Sequence, residues 1–355
     1  MTPSATYRFS AQSVDYFFGG RLSSLSKHCQ KKSTVLLMDE TVHALHGACF
    51  KDWDILTIPS GEQYKVQSTV DRIIGELIER KADRSFTLVG VGGGVVTDLT
   101  GYAASVYMRG ISFGFLPTTL LAMVDASIGG KNGIDVGAYK NMVGVIRQPG
   151  FILYDWSFLR TLPDTLWSDG FAEVIKHACI RDAAAFRLLS SYDVKRLQKK
   201  SDILHGLIER NARMKSAIVR RDEFECNERR LLNFGHTLGH AIETVHQLSH
   251  GQAVAIGMVL ASQLSAQRLG FSGTEKLQDV LQAYGLPITH RYDATKVLEV
   301  LRLDKKRVSL DMNEVLLERI GKGVVQKIAL ASFEEWVRQA AEAQQPAFRK
   351  PPKKS

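Results

Sequence analysis

Between Asn233 and Gly251 the sequence reads NFGHTLGHAIETVHQLSHG, which holds four of the chain's ten histidines. His236 and His240 stand four positions apart, so on a helix their rings share a face, with Cβ atoms roughly 5–6 Å apart. That is within reach of one ion. His246 falls about 80° off that face and reads as a solvent-facing or capping residue. His250 lies about 21 Å from His236 along a straight helix, too far to share an ion with it. The break at Ser249-His250-Gly251 lets an antiparallel helix pair bring it back. Two histidines and one carboxylate form the ligand set of an open catalytic zinc site. The carboxylate that suggests itself is Glu173 in GFAEVIK, an apolar stretch where a bare charge is costly. Lys176, three residues on, offers a salt-bridge partner instead. Spacing alone leaves two readings open, a metal centre and a pair of hydrogen-bonded helix histidines.

Other polar groups lie in segments that otherwise read as buried. MVDASIGGKNGID carries Asp125 and Lys131 among glycines, YKNMVG carries Asn141, Lys215 and Arg229 flank SAIVRRDEFECNE, and Asn233 just precedes the histidines. Singly, each reads as a surface charge or turn residue. Together they suit a small ligand with several negative charges and hydroxyls, because Arg and Lys take carboxylate and phosphate while Asp and Asn read hydroxyls.

A second chemistry is written in LVGVGGGVVTDLTGYAASVYM. A buried-strand pattern runs into Gly90, Gly92, Gly93 and Gly94, and a helix is expected to begin near Thr97 and Asp98. Glycines let backbone approach a phosphate, and the first amides of a helix point toward it with a favourable dipole. The dinucleotide fingerprint is incomplete, since its third glycine, counted from Gly92, falls on Thr97. The loop alone therefore does not separate a pyrophosphate site from a tight strand-to-helix turn. Asp39, at the end of a predicted strand, can take a ribose hydroxyl pair, and PSGEQYK places Glu62 and Lys65 after another strand.

The elements that must position these groups change character along the chain. Up to about residue 155, apolar β-rich runs (residues 33–39, 54–60, 85–94, 111–117 and 150–155) alternate with helical patterns, predicting βαβ units and a mostly parallel sheet. After Pro163 long apolar-periodic segments predict a mainly helical half. The expected fold is thus an α/β nucleotide-binding domain over 1–160, followed by a helical metal- and substrate-binding domain over 161–340 and a basic tail over 341–355. A cleft between the halves is the expected ligand site.

Composition narrows the function classes. A chain of 355 residues with 45% hydrophobic content can bury the cores of two domains. No window approaches about 18 uninterrupted apolar residues and no charged stretch leads into an apolar run, so a cytoplasmic protein is expected. Cys29, Cys49, Cys179 and Cys226 form no CxxC pair and read as reduced thiols. Of the net charge of +9, four charges sit in the last seven residues, RKPPKKS. With no basic stripe interleaved with aromatics, nucleic-acid binding is not expected.

Taken in order, PSGEQYK, GGGVVTDLTGYAASVYMRG, LPTTLLAMVDASIGGKNGID, KNMVG, GFAEVIK, LLNFGHTLGHAIE, HGQAVAIGM and DKK (304–306) make the sequence resemble the 3-dehydroquinate synthase family of sugar-phosphate cyclases, from about Asp39 to Gly323. The resemblance implies a lyase of the shikimate pathway that turns 3-deoxy-D-arabino-heptulosonate 7-phosphate into 3-dehydroquinate and phosphate. The route is transient oxidation by NAD+, phosphate elimination, re-reduction and intramolecular aldol closure. It implies one divalent metal, zinc or cobalt, on Glu173, His236 and His250. NAD contacts correspond to Asp39, Glu62, Lys65, Gly93, Gly94, Val95, Asp98, Thr118, Thr119, Lys131, Lys140 and Thr161. Substrate-holding groups correspond to Asp125, Lys131, Asn141, Lys176, Lys215, Arg229, Asn233, His240 and Lys306, with His240 handling protons rather than binding metal. Arg109, in YMRG, matches an arginine that reaches the phosphate of the partner subunit, so a homodimer is implied.

The sequence departs from the family pattern at Asn132 and Asp135, where many members carry Thr and Asn, which bears on the fine substrate contacts. The segment from Ser332 matches no motif and reads as a helix and a tail. Two rival enzymes use related parts. A metal- and NAD-dependent polyol dehydrogenase would accumulate NADH and would not need the cluster Lys131, Lys176, Lys215 and Arg229. A sibling cyclase would act on a sugar phosphate lacking the carboxylate. A catalytically silent binding protein is a third reading, against which the intact ligand set argues.

Overall fold

The computed structural model describes residues 2–137, 139–304 and 311–344, so Lys306 and, from residue 345 on, the basic tail expected over 341–355 lie outside the described residues. In chain order the first elements are β1 (Ala5–Arg8), β2 (Ser13–Phe18), β3 (Thr34–Asp39), α1 (Glu40–His46), β4 (Asp54–Ile58), α2 (Gln67–Glu79), β5 (Thr87–Gly92), α3 (Gly94–Val106), β6 (Ser112–Pro117), β7 (Lys131–Val136), β8 (Tyr139–Ile146) and β9 (Phe151–Tyr154). Then come α4 (Asp164–Arg181), α5 (Ala183–Leu189), α6 (Val194–Gln198), α7 (Ser201–Arg221), α8 (His236–His246), α9 (His250–Leu269), α10 (Thr274–Ala283), α11 (Ala294–Asp304), β10 (Asp311–Arg319), β11 (Lys322–Ala329) and α12 (Leu330–Ala343). They gather into two compact units, Met1–Val174 with Val194–Arg229, and Ile175–Asp193 with Arg230–Ser355.

The first unit is built on a seven-stranded sheet in the order β1-β2-β9-β6-β5-β3-β4. Every pairing is parallel except β1 with β2. The five apolar runs of the sequence are β3, β4, β5, β6 and β9. TVLLMD of β3 is buried along nearly its whole length, as a strand covered on both faces must be. β1 and β2 were not legible as strands: β1 sits at the edge and alternates half-buried with exposed residues. α2 lays Val70, Ile73 and Leu77, spaced three and four apart, into the core. α7 also belongs to this unit: Tyr7 of β1 donates from its hydroxyl to the Arg213 carbonyl at 3.4 Å, and the Ser216 hydroxyl donates to that of Tyr16 at 2.8 Å. β7 and β8 form a separate antiparallel hairpin.

The second unit is helical except for the antiparallel hairpin β10–β11, which the sequence reading did not foresee. Its core gathers Leu238 and Ile242 of α8, Ile256 and Leu260 of α9, Val297 of α11, Leu316 of β10 and Phe333 and Trp336 of α12. α12 is the helix expected from Ser332 onward. α9 is buried on nearly all sides, and it meets α8 backbone to backbone. A Cβ on Gly257 would stand 1.9 Å from the Gly235 carbonyl oxygen, and one on Gly239 would stand 2.9 Å from that of Ala253. Among the described residues no helix is long and apolar enough to cross a membrane.

Because the group in the way at Gly257 is backbone, it cannot turn aside. Gly257→Ala is expected to lower the unfolding free energy by about 3 kcal/mol, the upper end of ordinary overpacking. Urea denaturation checks this, and a wild-type midpoint would overturn it.

Candidate active site

β3 and β5 lie side by side, but the crossover from β3 leads outward to β4 while that from β5 leads the other way to β6. In open parallel sheets ligands settle at such a switch point, beyond the carboxyl ends of the strands. Asp39 ends β3 there. Its Oδ1 accepts from the Val42 amide at 2.8 Å, capping α1, and from the Ser60 hydroxyl at 3.2 Å. Gly92 ends β5, Gly93 is the cap of α3, and α3 begins at Gly94, earlier than the expected start near Thr97.

The four glycines divide by task. A Cβ on Gly90 or Gly92 would stand 2.5 Å from Thr100 or Val96, so these two let α3 pack against its own strand. On Gly93 and Gly94 a Cβ would meet Thr119 at 3.2 Å and Ala126 at 3.4 Å, at the mouth of the turn. Gly93, Gly94, Val95 and Asp98 are partly exposed while Val96, Thr97 and Leu99 are buried, so the first four share the accessible face of the first helical turns. Thr97 stands at the fingerprint's third glycine position and donates its hydroxyl inward to the Gly94 carbonyl at 2.9 Å. Thr118 follows β6 and donates its amide to the Gly92 carbonyl at 2.9 Å; the Thr119 hydroxyl accepts from the Ala122 amide at 3.1 Å. A half-open cradle of amides at a helix start fits a pyrophosphate. Thr161, at the end of a short 3-10 turn, shares a 2.8 Å hydrogen bond with His46 Nε2 on α1.

Lys65 is the hub of the next cluster. Its buried Nζ reaches Asp98 Oδ2 at 2.8 Å, Asn141 Oδ1 at 2.5 Å and Glu62 Oε1 at 3.5 Å. Asn141 holds a left-handed backbone, φ 53°, and donates its amide to Asp135 Oδ1 at 2.7 Å. Such strain in a non-glycine residue persists only where the surroundings fix it. Asp135 thus braces the hairpin that carries Asn141, while Lys140 is an exposed residue of β8. Asn132 is turned inward, donating to the carbonyls of Gly130 at 2.7 Å and Arg147 at 2.9 Å, so that departure from the family pattern is a packing residue. Burial pulls the Lys65 ammonium down, but the Asp98 and Glu62 carboxylates outweigh it and hold it above its ordinary value. Burial pushes Asp98 up to about 6, against the Lys65 charge that lowers it.

A third cluster joins α7 to the turns after β6. Lys215 Nζ donates at 2.7 Å to both Oδ1 and the backbone carbonyl of Asp125, which sits on a single π-helical turn, Ala122–Ala126. Arg229 is buried and donates to the carbonyls of Glu223 and Gly129, the latter at 2.9 Å. Gly129 has φ 107°, and a Cβ there would stand 2.6 Å from the guanidinium, so this glycine is needed both for its turn and for the arginine's seat. Lys131 pairs with Glu225, a residue the sequence reading passed over. Glu225 adopts φ 60° in the loop that links Lys215 to Arg229, and its signal was an acid between two cationic positions. Arg109 is exposed within three successive positive-φ residues, Met108 (49°), Arg109 (64°) and Gly110 (121°).

In the second unit α8 ends at Gln247, whose φ of 53° turns the chain, and Ser249 caps α9 in a reciprocal pair with Gln252. His250 therefore begins α9, and its ring centroid returns to 5.6 Å from that of His236 and 6.0 Å from that of His240, with His236 and His240 at 4.9 Å. His246 stands apart, edge-on to His290 at 4.5 Å. Glu173 is fully buried on α4, the helix within which the two units divide. Ligand atoms of Glu173, His236 and His250 all lie within 4.8 Å of one another; so do those of His240, Glu243 and His250, and those of Asp125, Glu173 and His177. The first set matches an open zinc site by donor chemistry. His236 Nδ1 lies 3.2 Å from the Phe234 carbonyl, and with the proton on Nδ1 its Nε2 is left to ligate. These residues fit one divalent ion. Lys176 is buried one turn beyond Glu173, Asn233 is half-buried just before α8, and His240 is exposed.

In the Lys65→Met variant the charge that lowers Asp98 is gone, and its titration midpoint should move above 6. Carboxyl 13C shifts followed against pH measure this; an unchanged or lower midpoint would contradict the ion-pair account.

The sequence relationships agree with this geometry. A model of the 3-dehydroquinate synthase N-terminal region matches residues 55–169, and one of the 3-dehydroquinate synthase C-terminal region matches residues 170–307. The 3-dehydroquinate synthase of Methylacidiphilum infernorum is 44% identical over 289 residues, covering 79% of either chain. That of Thermodesulfovibrio yellowstonii is 40% identical over 299 residues, 82% of this chain and 83% of the relative. The solved structure of 2-epi-5-epi-valiolone synthase from Streptomyces hygroscopicus subsp. jinggangensis, with NAD+ and Zn2+ bound, superposes with a TM-score of 0.85 at 27% identity, covering 96% of this chain and all of that one. With the two regions matched in succession over residues 55–307 and these relatives alike over most of their length, the chain belongs to the 3-dehydroquinate synthase family.

Proposed function

We propose that the chain converts 3-deoxy-D-arabino-heptulosonate 7-phosphate into 3-dehydroquinate and phosphate, a carbon–oxygen lyase of the shikimate pathway acting in the cytoplasm. The observation that carries this reading is the donor set of Glu173, His236 and His250, in a chain whose curated relatives bear that enzyme's name. When bound, NAD+ supplies a transient hydride acceptor and the divalent ion, zinc or cobalt, polarises substrate hydroxyls. The chain's own residues do the rest. Asp39, Glu62, Lys65, Gly93, Gly94, Val95, Asp98, Thr118, Thr119, Lys140 and Thr161 hold the dinucleotide, its pyrophosphate on the α3 amides. Lys131, Asn141, Lys176, Lys215, Arg229 and Asn233 hold the substrate's phosphate and carboxylate, and Asp125 reads a hydroxyl. His240, exposed on α8, moves a proton at a ring nitrogen. Holding a doubly anionic substrate in one pose through several steps turns each into an intramolecular event, which is where most of the rate gain would arise.

The test incubates the protein with the heptulosonate phosphate, catalytic NAD+ and zinc, following phosphate release and NADH absorbance together. Phosphate without lasting NADH is expected; stoichiometric NADH with no phosphate would sink the proposal in favour of a polyol dehydrogenase.

A homodimer forms part of the same reading. Val136, Tyr139, Met142, Val143 and Ile146 leave the β7–β8 hairpin with exposed apolar side chains, and Val106 and Met108 are exposed just before Arg109. An apolar surface of this kind suits a second copy, with Arg109 offered to the partner's phosphate site. Sedimentation equilibrium should give twice the chain mass, and Met142→Glu should shift the protein toward the monomer. A wild-type monomer at micromolar concentration would refute it.

A further inference from the structure

Of the carboxylates near the histidine group, one has no task in the reading above. Glu243 is buried, only 6% exposed, on α8 one turn beyond His240. Its neighbours in sequence, Ala241 and Ile242, belong to the apolar core of the second unit. A carboxylate taken out of water in such a place costs several kcal/mol unless a donor meets it. Two imidazoles stand within reach as donors: ligand atoms of His240, Glu243 and His250 lie within 4.8 Å of one another. His250 also belongs to the set with Glu173 and His236. A histidine ring has two nitrogens on opposite edges, so one ring can serve both groups, presenting one nitrogen to an ion and the other to a carboxylate.

We propose that Glu243 is a positioning residue that accepts the second ring N–H of His250, fixing its tautomer and its orientation toward Glu173 and His236. This rests on the metal reading given above. A metal-bound histidine ordinarily passes its other N–H to a carboxylate or carbonyl, and loss of that partner costs about 10–100-fold in metal affinity. The arrangement would also be symmetrical with His236, whose Nδ1 faces the Phe234 carbonyl at 3.2 Å. Each ligating ring would then be held from behind by its own acceptor, one neutral and one charged. The charged partner belongs to the ring at the start of α9, where the chain has just turned and a ring has least support from its own helix.

The test compares zinc dissociation constants, by competition with a chromophoric chelator, for the wild type, Glu243→Gln, Glu243→Leu and the control His250→Ala. Glu243→Gln keeps shape and acceptor but not charge, and about 10-fold weaker binding is expected. Glu243→Leu removes the acceptor and should weaken binding by about 100-fold. Thermal unfolding of the zinc-free proteins separates this from simple packing: Glu243→Gln should unfold like the wild type without zinc and lose only the zinc-dependent gain. Wild-type zinc affinity in Glu243→Gln would overturn the proposal, even if Glu243→Leu proved too unstable to measure. Failure of the wild type itself to bind zinc stoichiometrically would instead overturn the underlying metal reading.

Discussion

Everything at the histidine centre depends on how closely two helix backbones can approach. His236 and His250 are fourteen positions apart, and only an antiparallel return brings their rings to 5.6 Å. The return is possible because α8 and α9 meet where neither carries a side chain, at Gly235, Gly239 and Gly257. Gly235 serves twice, as it also takes the left-handed cap of α8 at φ 79°. Ordinary side chains at the crossing would hold the axes 8–10 Å apart, and the ring at the start of α9 would move away by a comparable margin. A donor set needs its atoms placed within a few tenths of an ångström. The three glycines are therefore as much part of the centre as the ligands are.

In the first unit a different constraint operates, the pairing of buried charge. The buried Lys65 and Lys215 rest against Asp98 and Asp125, and the exposed Lys131 pairs with Glu225. Leaving either buried cation alone would cost several kcal/mol, so the fold needs the acids as much as a ligand needs the bases. The arrangement also holds the ammonium groups in fixed directions before any anion arrives, and that preorganisation is the main electrostatic asset of a site handling charged intermediates. Its strained points, Asn141 and Glu225 in left-handed conformations, fall on residues that touch these lysines.

How much of this was legible in the sequence followed burial. The central strands announced themselves because a strand covered on both faces is apolar throughout, as TVLLMD is. The hairpins did not. β10 buries Met312, exposes Asn313 and then buries the four residues from Glu314 to Leu317 in a row, so neither alternation nor continuity is clean, and β8 is exposed along almost its whole length. The histidines, Glu173 and the cationic residues could be named from residue type and spacing, since chemistry restricts which side chains serve. What could not be read was what each glycine is for. Gly90 and Gly92 look like a phosphate loop but make room for Thr100 and Val96, whereas Gly257, in an unremarkable helix, admits the Gly235 carbonyl. Glycine records a close approach without saying of what. Glu225 escaped for a related reason: an acid in a charged loop carries no sign of the lysine that the fold brings to it.

The anion-holding groups are not equivalent, and the difference lies in what holds them. Each lysine faces a carboxylate that cancels its charge, so an arriving phosphate or carboxylate must compete with an internal anion. The described hydrogen bonds of Arg229 go to two backbone carbonyls, of Glu223 and Gly129. A carbonyl is a neutral dipole: it orients a guanidinium without neutralising it. Burial lowers the Arg229 pKa, yet a guanidinium stays charged at any physiological pH. Arg229 thus stays cationic and is fixed in direction by neutral carbonyls, while the nearby carboxylates of Glu225, Asp125, Asp222 and Glu223 offset part of its field. The lysines, whose partners can be exchanged, are better suited to an anion that must be let go.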